Sequence, residues 1–264
     1  MTFPVYFHLF GRALHPHMAL EVLAYGGGAQ LYWALRRRAK REGLAIEAEA
    51  NLWLIVGAVI GALVGSKLLA WVESIHAYWP HRGDPRMWLG GKTIVGGLLG
   101  GWMGVEIAKK RLGVRRSTGD LFVFPLMLGM AVGRVGCFLT GLDDHTYGVG
   151  TRLPWGVDFG DGVRRHPTQL YDIVFLMVLA AVLWVRSRRG WESGRMFRWF
   201  MLGYLGWRFL VEFIKPREIV MVNLSGIQIA SLTGAVVLAT LLWRKPRFDS
   251  RAAPGDPVLD EVGR

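Results

Sequence analysis

Seven stretches of the chain are apolar on nearly every helical face: 18–35, 50–72, 93–108, 120–140, 168–185, 196–214 and 226–243. Each is about 16–23 residues long, close to the ~20 needed to cross ~30 Å of hydrocarbon at ~1.5 Å per residue, and several are too long for buried strands. Helices of this kind belong in lipid or in a very large core. A soluble domain of 264 residues has room for one or two of them, not seven. The pattern predicts an all-α, polytopic integral membrane protein with about seven transmembrane helices. The membrane domain covers 1–245, with a long polar loop at 141–167 and a flexible tail at 246–264. Phe3, Tyr6, Phe7, Leu9, Phe10 and Leu14 have rough helical spacing, which suits either an interfacial helix or a disordered leader. Residues 1–17 lack the features of a cleavable signal peptide.

Charge sets the orientation. Lys and Arg number 32 against 20 Asp and Glu, a net charge of +12. Twenty of the basic residues lie in the connections after runs one, three, five and seven, and nine lie in the alternate connections. By the positive-inside rule the N-terminus is outside, the C-terminus is cytoplasmic, and the 141–167 loop faces outward. The positive charge is thereby absorbed by topology, and nucleic acid is not expected as a partner. The single Cys excludes a disulfide framework, and 35 Gly without a period of three exclude collagen. Glycines spaced by four, Gly57, Gly61 and Gly65, and Gly96 with Gly100 and Gly97 with Gly101, let helix backbones approach closely. The 96–101 cluster also leaves room for a lipid head group.

With Arg198, at the very start of the sixth run, counted with the connection before it, three basic residues remain inside the runs: Lys67, Arg134 and Arg208. Each costs about 2.5–3.5 kcal/mol on insertion scales unless it is paired, snorkelling or functional. Lys67 is shallow enough to snorkel. Arg134 and Arg208 each lie seven residues, ~10 Å, below the outer end of runs that travel in the same direction, so both are placed to meet one anion. Glu212, four residues after Arg208, shares its helix face and pairs with it; an ion pair that only fixes packing is the alternative. Glu21 lies near the outer end of the first run, and Glu106 and Asp120 near cytoplasmic surfaces. The guanidinium fork matches phosphate and stabilises charge developing on a leaving phosphate. A phospholipid is the phosphate most available at this depth.

These residues carry a resemblance. Gly133-Arg134-Val135-Gly136-Cys137-Phe138, followed by Gly148, resembles the Gly-Arg-x-Gly-Asn-Phe signature of the prolipoprotein diacylglyceryl transferases. Arg165-His166-Pro167-Thr168-Gln169-Leu170-Tyr171 is similar to that family's Arg-His-Pro-Ser/Thr-Gln-Leu-Tyr-Glu stretch. Pro154-Trp155-Gly156 is similar to the motif just before it, and Arg208-Phe209-Leu210-Val211-Glu212-Phe213 to its Arg-Phe-x-x-Glu-Phe/Tyr segment. The clear match covers about 90–218.

The resemblance implies a transferase of the bacterial inner membrane. Its donor would be phosphatidylglycerol, a membrane lipid, and its acceptor the lipobox cysteine of a precursor protein. It implies that Arg134 and Arg208 hold and polarise the donor phosphate with Glu212 orienting Arg208. Gly96, Gly97, Gly133, Cys137, Gly148, His166, Gln169 and Tyr171 would line or support the substrate site. Pro167 also suits a helix start. No metal and no cofactor is read. Three positions depart from the family: its third-helix His is Val95, the signature Asn is Cys137, and the Glu after Leu-Tyr is Asp172. Thiol attack needs a thiolate, and the outer histidines His15, His17, His145 and His166 are the candidates to take the proton. Cys137 reads as a small packing residue, or as a nucleophile. Two other functions stay open: a divergent transferase with another acceptor, and a noncatalytic lipid-binding protein.

Overall fold

The computed structural model describes residues 3–9, 11–84, 90–190 and 192–243; Phe10, Arg86 and the tail expected at 246–264 lie outside the described residues. Among the described residues stand seven long helices, each on one apolar run: α1 (Pro16–Arg41), α2 (Ala48–Glu73), α3 (Ile94–Leu112), α4 (Val123–Thr140), α5 (Thr168–Ser187), α6 (Arg195–Val211) and α7 (Gly226–Trp243). By length and composition α2, α5 and the segment Gly119–Asp144, which contains α4, are long and apolar enough to cross a membrane.

The outward faces are apolar. Val22, Leu23, Leu63, Val178 and Leu210 are exposed, and α2 buries only Asn51, Leu54 and Ala70. In water such faces would lose the hydrophobic effect, whereas in lipid they lose nothing, so helices must associate through close packing and polar contacts. Glycine supplies the close packing. On α2, Gly57, Gly61 and Gly65 meet Gly104, Gly100 and Gly96 of α3; a Cβ on Gly57 would stand 2.8 Å from the Gly104 carbonyl oxygen, and the other two would clash with carbonyls as well. Gly96 is a seam residue: its Cβ would also meet Leu69 Cβ at 2.8 Å. Gly97 lies in the neighbouring row, 3.8 Å from Ser66 Cβ by the same measure.

A second seam joins α1 to α4. A Cβ on Gly28 would lie 3.2 Å from the Pro125 oxygen, and one on Gly136 would lie 3.2 Å from Leu20 Cβ and 3.4 Å from His17 Cα. This seam brings the start of α1 against the signature end of α4. The apolar core gathers Val95, Met127, Leu176, Phe200, Tyr204, Leu205 and Leu238.

Carboxylates hold helix starts across the bundle. Asp120 accepts the backbone N–H groups of Gly194 (2.6 Å) and Phe197 (2.9 Å) at the start of α6, so it is a half-buried cap rather than the surface group expected. Glu73 accepts the Ile227 N–H at 2.8 Å and caps α7 from the end of α2. The N-terminal segment forms neither an interfacial helix nor a disordered leader. It is a hairpin of β1 (Phe7–Leu9) and β2 (Arg12–Leu14), with Phe7 opposite Leu14. Gly11 takes φ of 74°, a left-handed value that turns the chain and ends any helical run. The 141–167 loop carries a second short pair, β3 (Val157–Asp158) and β4 (Arg164–Arg165).

Candidate active site

The two arginines singled out from the sequence meet on one carboxylate. Arg134 on α4 places Nε 2.7 Å from Asp172 Oδ2, and Arg208 on α6 places Nη1 3.7 Å from the same oxygen. Asp172 itself comes from α5, so the point of convergence draws on three helices. Its second oxygen accepts the Trp207 indole N–H at 2.6 Å, and the Trp207 ring stacks on Phe175 at 4.7 Å. Arg208 Nη2 donates to Glu212 Oε2 at 2.7 Å, the pairing expected from the i, i+4 spacing. Arg134, Asp172, Arg208 and Glu212 are all buried.

Two cations and two carboxylates leave the cluster near neutral, which is what makes burial of four charges tolerable. The hydrogen-bond inventory is not closed, however. Among the described residues, Arg208 Nε and Nη1, both amide atoms of Gln169 and the Tyr204 hydroxyl are buried without a hydrogen-bond partner. Gln169 precedes Asp172 by one helical turn, on the same face of α5. Buried polar groups of this kind cost free energy unless a ligand or water pairs with them; Arg208, the Tyr204 hydroxyl and Gln169 Nε2 can donate, and Gln169 Oε1 can accept.

Beside it lies a second polar group. Cys137, one turn after Arg134, has Sγ 4.0 Å from Arg134 Nη1 and 3.9 Å from His17 Nδ1. That same His17 nitrogen is 3.1 Å from Asp144 Oδ1, and His17 Nε2 is 3.7 Å from Glu21 Oε2. Of the four outer histidines named from sequence, His17 is the one brought against the signature. His166 instead pairs its Nδ1 with the Tyr171 hydroxyl at 3.2 Å, and that hydroxyl accepts the Trp155 indole N–H at 2.8 Å. His15 lies against the Tyr6 ring and His145 against Tyr147.

The remaining sequence candidates divide. A Cβ on Gly133 would meet nothing within 4 Å, so the space beside Arg134 is open. Gly148 is a crossing point: its N–H donates to the His166 carbonyl at 2.8 Å, and a Cβ there would lie 2.6 Å from His166 Cβ. Next to it the Val149 N–H donates to the Ile214 carbonyl at 2.9 Å, tying the 141–167 loop to the end of α6. Lys67 donates to the carbonyls of Gly90 and Gly91 at 3.0 and 2.9 Å, a chain end reaching the rim of the bundle. Val95 is 1% exposed in the apolar core with Tyr204. An apolar cleft of about 940 Å³, lined among others by Gly97, Leu98, Gly101, Trp102 and Leu126, opens between α2, α3, α4 and α6.

Sequence reasoning missed Asp172 as a site residue, although a lone carboxylate inside the fifth apolar run was a usable signal. It also missed Tyr204 and Lys215. Half-buried Lys215, just beyond α6, is pulled down to about 7 by burial and by the charges of Arg208 and Arg134. Nothing in its local sequence marks it.

The family described as "Prolipoprotein diacylglyceryl transferase" matches residues 4–244. A "Phosphatidylglycerol--prolipoprotein diacylglyceryl transferase" of Clostridium tetani is 32% identical over 255 residues, covering 93% of this chain and 98% of the relative. Proteins of the same description from Geobacter sulfurreducens and Bordetella parapertussis are each 34% identical, covering 83% and 80% of this chain and 85% and 81% of their own.

Proposed function

The chain belongs to the prolipoprotein diacylglyceryl transferase family, and from that premise we propose that it transfers the diacylglyceryl group of phosphatidylglycerol to the cysteine thiol of a prolipoprotein lipobox. The observation that carries the site assignment is the set of buried, unpartnered donors on Arg208 and Tyr204 around the Arg134–Asp172–Arg208 junction. The donor phosphate sits against those groups. Because Asp172 and Glu212 already balance the guanidinium charges, the phosphate is held by oriented N–H and O–H donors rather than by excess charge.

The thiolate sulfur attacks the glyceryl carbon, an S–C bond forms and the C–O bond to phosphate breaks. The bonding pair stays on the phosphate oxygen, and glycerol phosphate leaves. Arg134 and Arg208 stabilise the charge that grows on that oxygen, and Glu212 and Asp172 keep the two forks aimed. Gln169 adds a further amide to the same rim. Cys137, His166 and Tyr171 lie on the side from which the acceptor arrives, and the apolar cleft with Gly97 in its wall takes the acyl chains below the head group.

The seven helices are read as seven spans of the bacterial inner membrane. The N-terminal hairpin and the 141–167 loop are on the outer side, and the C-terminus is in the cytoplasm. The apolar outward faces and the twenty-to-nine bias of basic residues support this topology.

Purified protein incubated with phosphatidylglycerol and a lipobox peptide should release glycerol phosphate and yield a thioether-linked peptide. Neither product, with an active relative run in parallel, would sink the proposal.

A further inference from the structure

We infer that His17, Cys137 and Asp144 form a three-ligand site for a zinc-type divalent cation, with its open fourth position facing the route of the acceptor thiol. The role of that fourth position rests on the transferase reading; the metal site itself does not.

The geometry fits a tetrahedral ion. One nitrogen, one sulfur and one carboxylate oxygen lie within 4.8 Å of one another. His17 Nδ1 is 3.1 Å from Asp144 Oδ1 and 3.9 Å from Cys137 Sγ. Zinc bonds of about 2.0–2.3 Å give ligand-to-ligand edges of about 3.3–3.6 Å; the His17–Asp144 edge is slightly shorter and the His17–Cys137 edge slightly longer than that, so small side-chain adjustments would close the three atoms on an ion. A thiolate, an imidazole and one carboxylate select zinc or cobalt over calcium or magnesium. Three protein ligands with one position left over is the arrangement of catalytic rather than structural zinc.

Each ligand also has an outer partner. Metal-binding histidines are held through their second ring nitrogen, usually by a carboxylate. Here His17 Nε2 faces Glu21 Oε2 at 3.7 Å, and Glu21 is itself fixed by Lys92 Nζ at 2.9 Å and the Tyr25 hydroxyl at 3.1 Å. Asp144 Oδ2 accepts the Thr146 hydroxyl. Cys137 Sγ faces Arg134 Nη1 at 4.0 Å. The ligands come from α1, α4 and the turn after α4, and the separation of 120 residues between His17 and Cys137 explains why no ligand spacing is legible in the sequence.

The site answers a chemical need of the proposed reaction. Position 95 is Val, buried and unable to take a proton. A thiol that coordinates the cation binds as thiolate and gives its proton to water. It would then lie next to Arg134, which faces the phosphate that leaves. Deprotonation on the metal, S–C bond formation and C–O cleavage together balance without any further base.

Cobalt(II) titration of the chelated, detergent-purified protein tests this without lipid or peptide. Because Cys137 is the only cysteine, a thiolate-to-cobalt charge-transfer band reports that residue alone. The expected result is a saturable band at one equivalent, displaced by zinc and absent in Cys137→Ser. His17→Ala and Asp144→Asn should each weaken cobalt binding at least ~10-fold. No band in the wild-type protein, or undiminished affinity in both the His17 and Asp144 variants, overturns the site. Cobalt binding by a protein that forms no thioether breaks the transferase reading and leaves the site standing. Undiminished transfer by the chelated protein removes the thiol-activating role.

Discussion

Arg134 Nε and Asp172 Oδ2 lie 2.7 Å apart, buried, on two different helices. Neither is tolerable in hydrocarbon alone, and the pair locks the rotation of α4 against α5. Asp172 stands where the relatives resembled carry Glu, so the carboxylate is kept and shortened. Asp172→Ala should leave two buried guanidinium groups short of a partner, cost about 3–5 kcal/mol of stability and abolish glycerol phosphate release. Asp172→Glu should retain release. Thermal unfolding in detergent, read beside the product assay, checks both; a stable and active Asp172→Ala protein would contradict the arrangement.

Arg208 pairs with Glu212 through Nη2 and faces Asp172 through Nη1, and among the described residues its Nε has no hydrogen-bond partner and is left to meet the phosphate. Lysine has a point charge and no fork. Arg208→Lys is expected to lower the transfer rate by about 10²–10³-fold, the range for loss of one oriented transition-state donor. The effect should fall mainly on kcat. A change confined to KM would place Arg208 in ground-state binding only.

Lys215 supplies a pH dependence. Its amine is pulled down to about 7 by burial and by Arg208 and Arg134, against the opposing pull of Glu212 and Asp172. Below about 7 it is cationic and adds positive charge beside the phosphate site; above, it is neutral. Anionic lipid affinity should therefore fall as pH rises through about 7, and the step should vanish in Lys215→Met. Stability runs the other way. The unfolded chain holds this proton up to its ordinary lysine value, so between about 7 and that value the folded state gains stability with rising pH. Isothermal binding of phosphatidylglycerol in nanodiscs from pH 6 to 9 reads the first effect.

The row of Gly57, Gly61 and Gly65 against α3 has no room for a side chain. Gly57→Leu would drive carbons into the Gly104 carbonyl, 2.8 Å from where its Cβ would stand. Overpacking of this order costs about 1–3 kcal/mol or more. The expected readout is a lower detergent unfolding temperature. An unchanged value would mean that the two helices do not meet along this row.

Val95→His restores the histidine of the relatives resembled, yet position 95 is dry core beside Tyr204. A buried imidazole without a partner costs about 1–3 kcal/mol. The variant should be less stable and transfer no faster than the native protein. A large gain in rate would show that the native chain lacks a working proton acceptor.

Much was legible in the one-dimensional pattern. Seven apolar runs became seven helices, the spacing of Arg208 and Glu212 became an ion pair, and glycines four apart became a packing row, because each depends on the period of one helix and on its own side chains. The two arginines that stand equally far from the ends of their runs do arrive at one carboxylate, Asp172.

The tertiary structure decided which faces meet. That Asp172 is the shared partner, that Gly96 packs against α2, that Phe7–Leu9 pairs with Arg12–Leu14, and that His17 reaches Cys137 and Asp144 were all set by tertiary packing and register. Those in turn are set by backbone contact at the Gly57–Gly104 and Gly136–His17 seams. Hydropathy says how deep a residue lies, but contacts between helices depend on azimuth. Azimuth is fixed only when several small residues on two helices interlock at once.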